Sequence, residues 1–375
     1  MTEPAAGQSA GAERPLNDLS FEEFSARMAD IGLSPLQSRK VFSALYRKGR
    51  PLLGQGRARV DEVSPRHLAR VRAMPWGTLK VLDRRRASDG FVKYLFESPL
   101  GGSFEAVRIP LFDRKHVVCV SSQVGCALGC AFCATGRLGF SRNLETWEMV
   151  EQVRVIRDEA ALPVRHAVFM GMGEPFLNYD RVIRAASLFT QSGGLQISGR
   201  NITISTAGVV PAIRRYTAEG HPFRLTFSLT SAIPEKRRAL MPVEKRWPLS
   251  ELTDAIAAYA RAAGDRAVIA YVVIRDVNIG AEDVEALRLA FRDIPIKLDL
   301  IDVHDASGRL QPPDAQELKR FRDMLQVMRV PVGRRYSGGS EIGASCGNLA
   351  ATRCGGTAME AEAAETAPAG KAVGG

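Results

Sequence analysis

From residue 117 onward, six short apolar runs recur: "VVCVS", "HAVFM", "NITIS", "RLTFS", "VIAYVV" and "IKLDLI". β-Branched residues dominate them, which suits a pleated strand. The stretches between them have helical periodicity. "TWEMVEQVRVIRDEA" puts Met149, Val153 and Ile156 on one face, and "LSELTDAIAAYARAAG" does the same with Leu252, Ile256 and Tyr259. Six strand–helix units in series predict an α/β fold around a parallel sheet. Small, polar or cysteine residues recur just past the strands, at Cys126, Gly173-Glu174, Ser205 and Ser228. Barrel enzymes build their sites at such strand ends, so a partial (β/α)6 TIM-like barrel over residues 117–355 is expected ahead of a doubly wound sheet.

Two smaller regions precede it. Residues 17–76 read as a small basic helical domain. Ser34-Pro35 forms an N-cap and first-turn pair, Val41, Phe42 and Leu45 an apolar face, and Gly49 a stop. "SPRHLARVRAMPW" gives a further short helix ending before Pro75. Over residues 77–116, "TLKVLD", "FVKYLFE" and "FEAVRIPL" alternate with Asp-Gly and Gly-Gly turn signals, predicting a β-rich extension. The Ala-, Gly- and Glu-rich residues 1–16 and 356–375 offer little to bury and are expected to be disordered tails.

The net charge of +10 is concentrated: residues 39–93 hold 15 Lys/Arg against 4 Asp/Glu. Such a block is the footprint expected of a nucleic-acid binder, although a solvated face produces the same count. No stretch is long and apolar enough to span a membrane, and the first residues lack the pattern of a secretory signal. A cytoplasmic protein is therefore expected, where clustered cysteines serve metals or catalysis more often than structural disulfides.

Four of the six cysteines lie in "CVSSQVGCALGCAFCATGRLGF". Cys126, Cys130 and Cys133 make a CxxxCxxC run, with Cys119 seven residues upstream. Closely spaced thiolates select zinc, copper or iron–sulfur clusters. Structural zinc calls for four ligands, and no second CxxC or paired histidine accompanies this run. Three cysteines on a four-iron cluster would leave one iron open. Read alone, Cys119 on an apolar strand is a core thiol, Glu105 an exposed strand carboxylate, and Ser205 and Ser228 turn residues.

The CxxxCxxC run after the first barrel strand resembles the signature of the radical S-adenosylmethionine superfamily. "FMGMGEP" resembles the same superfamily's contact with the cofactor's amino group. Over residues 20–353 the chain is similar to the RlmN/Cfr-type RNA adenosine C-methyltransferases. The segments carrying this are "CVSSQVGCALGCAFCATGRLGFSRNL", "MGMGEPFLNYDRVI", "ITISTAGVVPAI", "MPVEKRWPLSEL" and "EIGASCGNL". The resemblance implies a [4Fe-4S] cluster on Cys126, Cys130 and Cys133, and S-adenosyl-L-methionine held by Gly173, Glu174, Ser205, Ser228, Leu229, Thr230 and His304. Two molecules of S-adenosylmethionine would be used per turnover. One methylates Cys346. The other yields a 5′-deoxyadenosyl radical that takes hydrogen from the S-methyl group, and the resulting methylene radical adds to an adenine ring carbon. Glu105 would accept the ring proton, and Cys119 would release product through a transient disulfide with Cys346. Adenine C2 and C8 are poor nucleophiles toward a sulfonium, which is why covalent catalysis on a protein sulfur is needed.

The chain departs from the family pattern at several places. Thr230 stands for a histidine, His304 for an asparagine and Gly338 for an arginine, and one extra residue separates Glu105 from Cys119. Cys354 has no counterpart role. The implied substrate is ribosomal or transfer RNA, with C2 ahead of C8, a flipped adenine, and a backbone gripped by basic residues that include Arg84, Arg85 and Arg86. A flavodoxin-type reductant, a monomeric state and no membrane partner complete the expectation. Two alternatives use the same residues: an iron–sulfur redox or binding protein that has lost methyl transfer, and a radical enzyme acting on a substrate other than RNA.

Overall fold

The computed structural model describes residues 13–47, 59–111, 114–305 and 308–350. Most of the two expected tails, the expected stop at Gly49 and the unassigned Cys354 lie outside them. The chain opens with three helices, α1 (Phe21–Ala29), α2 (Pro35–Leu45) and α3 (Pro65–Arg72). Capping boxes start the first two, Ser20 with Glu23 and Ser34 with Gln37, and Pro35 takes the first turn of α2. These helices have no separate core. Phe24, Met28, Val41, Phe42, Leu45, Leu68 and Val71 join one apolar cluster with the barrel helices.

Four antiparallel strands follow: β1 (Lys80–Arg86), β2 (Val92–Glu97), β3 (Ser103–Leu111) and β4 (Lys115–Cys119). A loop then holds a small hairpin, β5 (Gln123–Gly125) and β6 (Phe140–Asn143), around the short helix α4 (Ala134–Arg137). The repeating units come next: α5 (Thr146–Glu159), β7 (Val164–Phe169), α6 (Tyr179–Thr190), β8 (Ile202–Thr206), α7 (Val210–Glu219) and β9 (Arg224–Ser228). They continue with α8 (Pro234–Leu240), α9 (Leu249–Ala263), β10 (Ala267–Val273), α10 (Ala281–Ala290), β11 (Ile296–Asp302), α11 (Ala315–Met324) and β12 (Val332–Arg334). No helix among the described residues is long and apolar enough to cross a membrane.

One ten-stranded sheet runs in the order β1-β2-β3-β4-β7-β8-β9-β10-β11-β12, parallel from β4 onward. The β extension is thus not a separate layer. It continues the barrel sheet through the β3–β4 pairing, with Val107 opposite Cys119. Among the described residues β1 and β12 do not pair, so the barrel stays open. The six strands read from sequence are present. A seventh parallel strand, β12, is only three residues long and too short to show a period.

Alternation along each strand separates two environments. Ala167 and Phe169 of β7, Ile202 and Ile204 of β8, and Leu298 and Leu300 of β11 are fully buried under the helices. Their neighbours Val168, Thr203, Thr226, Val268, Lys297 and Asp299 line a cavity in the barrel lumen instead.

Candidate active site

The loop between β4 and β6 gathers the cysteines. Gly125 lies at φ +74°, and a Cβ there would sit 1.9 Å from the Gly139 carbonyl, so only glycine lets β5 and β6 close. The N–H of Cys133 donates to the Cys130 carbonyl at 3.1 Å, and Cys133 caps α4. Burial first, with Glu174 and Cys133 nearby adding to it, pushes the Cys126 thiol up to about 12. Burial also raises Cys130, with Cys133 and Cys126 adding to the effect. Among the described residues no three His, Cys, Asp or Glu side chains converge on a single metal ion. A cubane does not require convergence, because each thiolate binds a different iron.

Glu174 is buried at the end of β7. Its carboxylate accepts from the backbone N–H of Ala207 at 2.8 Å and of Phe176 at 3.0 Å. Burial lifts it to about 7 against the pull of those amides. A Cβ on Gly173, which lies at φ +100°, would fall 2.6 Å from Gln123, so this glycine serves the packing of two loops. Ser205 and Ser228 face each other across β8 and β9 at 3.3 Å between hydroxyl oxygens. Leu229 is buried, its N–H donating to Ala270 at 3.0 Å. Thr230 sits at φ +61° with its buried hydroxyl unpartnered, and His304 Nε2 is likewise buried without a partner. Three soft thiols on one loop, a buried carboxylate and two orphaned polar atoms fit a thiolate-held cluster with a polar ligand beside it.

Cys119 and Cys346 meet at one cavity of about 440 Å³ inside the barrel, which Cys133 also lines. Cys119 is buried and Cys346 exposed. Burial first, then the neighbouring Cys346, pushes the Cys119 thiol up to about 12. The segment carrying Cys346 is stitched on two sides. Against the loop that carries Cys126, Cys130 and Cys133, Ala134 N–H donates to the Gly347 carbonyl at 2.6 Å and the Thr135 hydroxyl to that of Leu349 at 2.6 Å. On the other side, Glu105 accepts from Ala350 N–H at 2.9 Å and pairs with Lys93 at 3.0 Å. Glu105 is therefore a buried group, not the exposed strand carboxylate its surroundings in sequence suggest.

Two positioning elements are not legible in the sequence. Buried Arg237 pairs with Glu244 at 2.9 Å and donates to the carbonyls of Ala207, Ser228 and Leu229, pinning the ends of β8 and β9. Asp89, in the β1–β2 turn, accepts from Tyr336 OH and Gly339 N–H, both at 2.8 Å. Glu244 lies within "MPVEKRWPLSEL", but no spacing in the sequence ties it to Arg237, and nothing ties Asp89 to Tyr336 or Gly339. The Arg84–Arg86 run is largely spoken for: Arg84 pairs with Glu159 at 2.6 Å and Arg85 with Asp83 at 2.9 Å, leaving Arg86 exposed.

Residues 120–290 match the radical SAM superfamily model. A protein of Myxococcus xanthus described as "Probable RNA methyltransferase" is 56% identical over 347 residues, 92% of this chain and 96% of that one. The "Dual-specificity RNA methyltransferase RlmN" of Anaeromyxobacter dehalogenans is 37% identical over 350 residues, 90% of this chain and 91% of its own length. Among solved structures, a radical SAM methyltransferase from Sphaerobacter thermophilus superposes with a TM-score of 0.83 at 33% identity, over 91% of this chain and 100% of that one.

Proposed function

This chain belongs to the RlmN-type family of radical SAM RNA methyltransferases, and from that premise we propose that it methylates an adenine ring carbon of ribosomal or transfer RNA through Cys346. The observation that carries the reading is the meeting of Cys119 and Cys346 at one cavity beside the cluster loop. A membership of the superfamily alone would not require a second and third sulfur there.

Cys126, Cys130 and Cys133 would hold the [4Fe-4S] cluster, with S-adenosyl-L-methionine against Gly173, Glu174, Ser205, Ser228, Leu229, Thr230 and His304. Together the two groups supply the methyl group and the hydrogen-abstracting power that an unreactive carbon demands. The chain's own residues do the rest. Cys346 carries the methyl as a thioether and presents it to the lumen. Glu105, held by Lys93 and Ala350, takes the ring proton. Cys119, held protonated at rest by burial, would give up its proton as it attacks the Cys346 sulfur. The S–S bond forms, the electron pair of the broken S–C bond leaves with the product carbon, and that carbon takes up a proton to complete the methyl group. We place C2 ahead of C8 as the target carbon, and a flavodoxin-type protein as electron donor.

Intact-protein and peptide mass spectrometry of cluster-loaded enzyme tests this. A methyl group on Cys346 is expected, with a Cys119→Ala variant trapping RNA on Cys346. An unmodified Cys346 under turnover conditions would sink the reading.

A further inference from the structure

The lumen carries more positive charge than the chemistry at sulfur uses. Among the residues lining the cavity with Cys119 and Cys346, the charged ones are Arg224, Lys297 and Arg335 against the single carboxylate of Asp299. Asp299 is shared, 2.9 Å from Lys297 and 3.0 Å from Arg335. Arg224 has no ion-pair partner among the described residues. Burial first, then the charges of Lys115 and Arg224, lowers the basicity of His166.

Strand register explains the grouping. Arg224 lies opposite Thr203, and two residues further along β9 Thr226 lies opposite Val268, which in turn lies opposite Lys297. The side chains of Arg224, Thr226, Val268 and Lys297 all reach the same cavity. β12 makes room for them: a Cβ on Gly333 would fall 3.3 Å from Asp299 and 3.7 Å from the Lys297 side chain. A structural ion-pair network would balance its charges; this one leaves an excess of cations facing an open space. The same cavity is rimmed by half-buried Phe132 and exposed Tyr336, flat surfaces on which an unstacked base can rest.

We propose that Arg224, Lys297 and Arg335 form a phosphate subsite for the RNA backbone flanking the nucleotide presented to Cys346. It rests on the reading of RNA as substrate, and it moves the grip from the outer Arg84–Arg86 strand to the wall of the lumen. A cation without a carboxylate partner is the group whose charge an incoming phosphate can use in full. Arg224 therefore carries more of the effect than Arg335, which Asp299 already engages.

The test is fluorescence anisotropy of cluster-loaded enzyme with a labelled twelve-nucleotide oligo(A) RNA, repeated across a salt series. Arg224→Gln with Lys297→Gln is expected to weaken binding about tenfold and to flatten the log–log salt slope by roughly 1.4, two single-strand phosphate contacts. Arg224→Lys with Lys297→Arg keeps the charges and should bind within about threefold of wild type, which separates charge loss from misfolding. A thermal unfolding midpoint reports the fold of each variant. Wild-type binding that survives the double glutamine change with its slope intact overturns the subsite alone. Wild-type enzyme that binds neither oligo(A) nor a mixture of tRNA and rRNA overturns the RNA reading beneath it.

Discussion

The backbone N–H of Ala350 donates to the Glu105 carboxylate at 2.9 Å, joining residues 245 positions apart in the chain. Through that bond β3 and the Cys346 segment share one buried charge, balanced by Lys93 at 3.0 Å. Removing the carboxylate leaves Lys93 buried without a counter-charge. Glu105→Ala should cost about 3 kcal/mol, as breaking a buried pair does, whereas Lys93→Met combined with Glu105→Leu should recover most of it. Urea unfolding measures both. Equal losses in the single and double variants would mean that Lys93 reaches solvent.

Cys119 and Cys346 share a cavity but not an environment. With its thiol pushed up to about 12 by burial, Cys119 is almost wholly protonated at pH 8. Iodoacetamide at that pH should label Cys346, which is exposed, and leave Cys119 untouched over the same interval. The sign for stability follows. The fold holds Cys119 protonated while an unfolded thiol ionises near 9.0, so stability is intact below pH 9 and declines as pH rises from there toward 12. Peptide mapping after timed alkylation checks the first statement, and unfolding midpoints between pH 8 and 11 the second.

Gly338 shows a departure in sequence acquiring a steric reason. A Cβ at this position would lie 2.4 Å from an Asp89 carboxylate oxygen and 2.5 Å from the Phe91 ring. The arginine expected from the family pattern cannot enter without expelling the β1–β2 turn. Gly338→Ala should therefore release Asp89 from Tyr336 and Gly339, costing about 1–3 kcal/mol as overpacking does. The Cys346 segment should become more open to protease, read by limited trypsinolysis. Unchanged cleavage at Arg334 and Arg335 would show that the turn is not what holds the segment.

The sheet was legible because each strand is a compact apolar run and each helix shows its own period, so position along the chain predicts position in the barrel. Cys126, Cys130 and Cys133 stand out in the sequence for a similar reason, being local to one loop. What was hidden depends on contacts between distant segments. Asp89 has no motif of its own and acts only because Gly338 lets it approach Tyr336 and Gly339. Arg237 reads as one basic residue among "EKRR" until the fold buries it against three carbonyls and Glu244. For the basic block at residues 39–93 a count of charges does not show that Arg84 and Arg85 already have carboxylate partners.

Thr230 combines two costs at one position. It is β-branched at φ +61°, and its hydroxyl is buried with no partner. Thr230→Gly relieves both and should raise ligand-free stability by about 1 kcal/mol, after allowing for the extra chain entropy glycine loses on folding. Thr230→Val keeps the strain but removes the orphaned hydroxyl, so its gain isolates that contribution. Chemical denaturation gives the stabilities, and titration with S-adenosyl-L-methionine the affinities. A more stable protein that binds the cofactor more weakly is the expected pair of results, since strain kept at a strand end is tolerated where a ligand uses it. Greater stability with unchanged affinity would remove Thr230 from the cofactor site and leave its conformation to the packing of Asn278, which donates to its carbonyl at 2.6 Å.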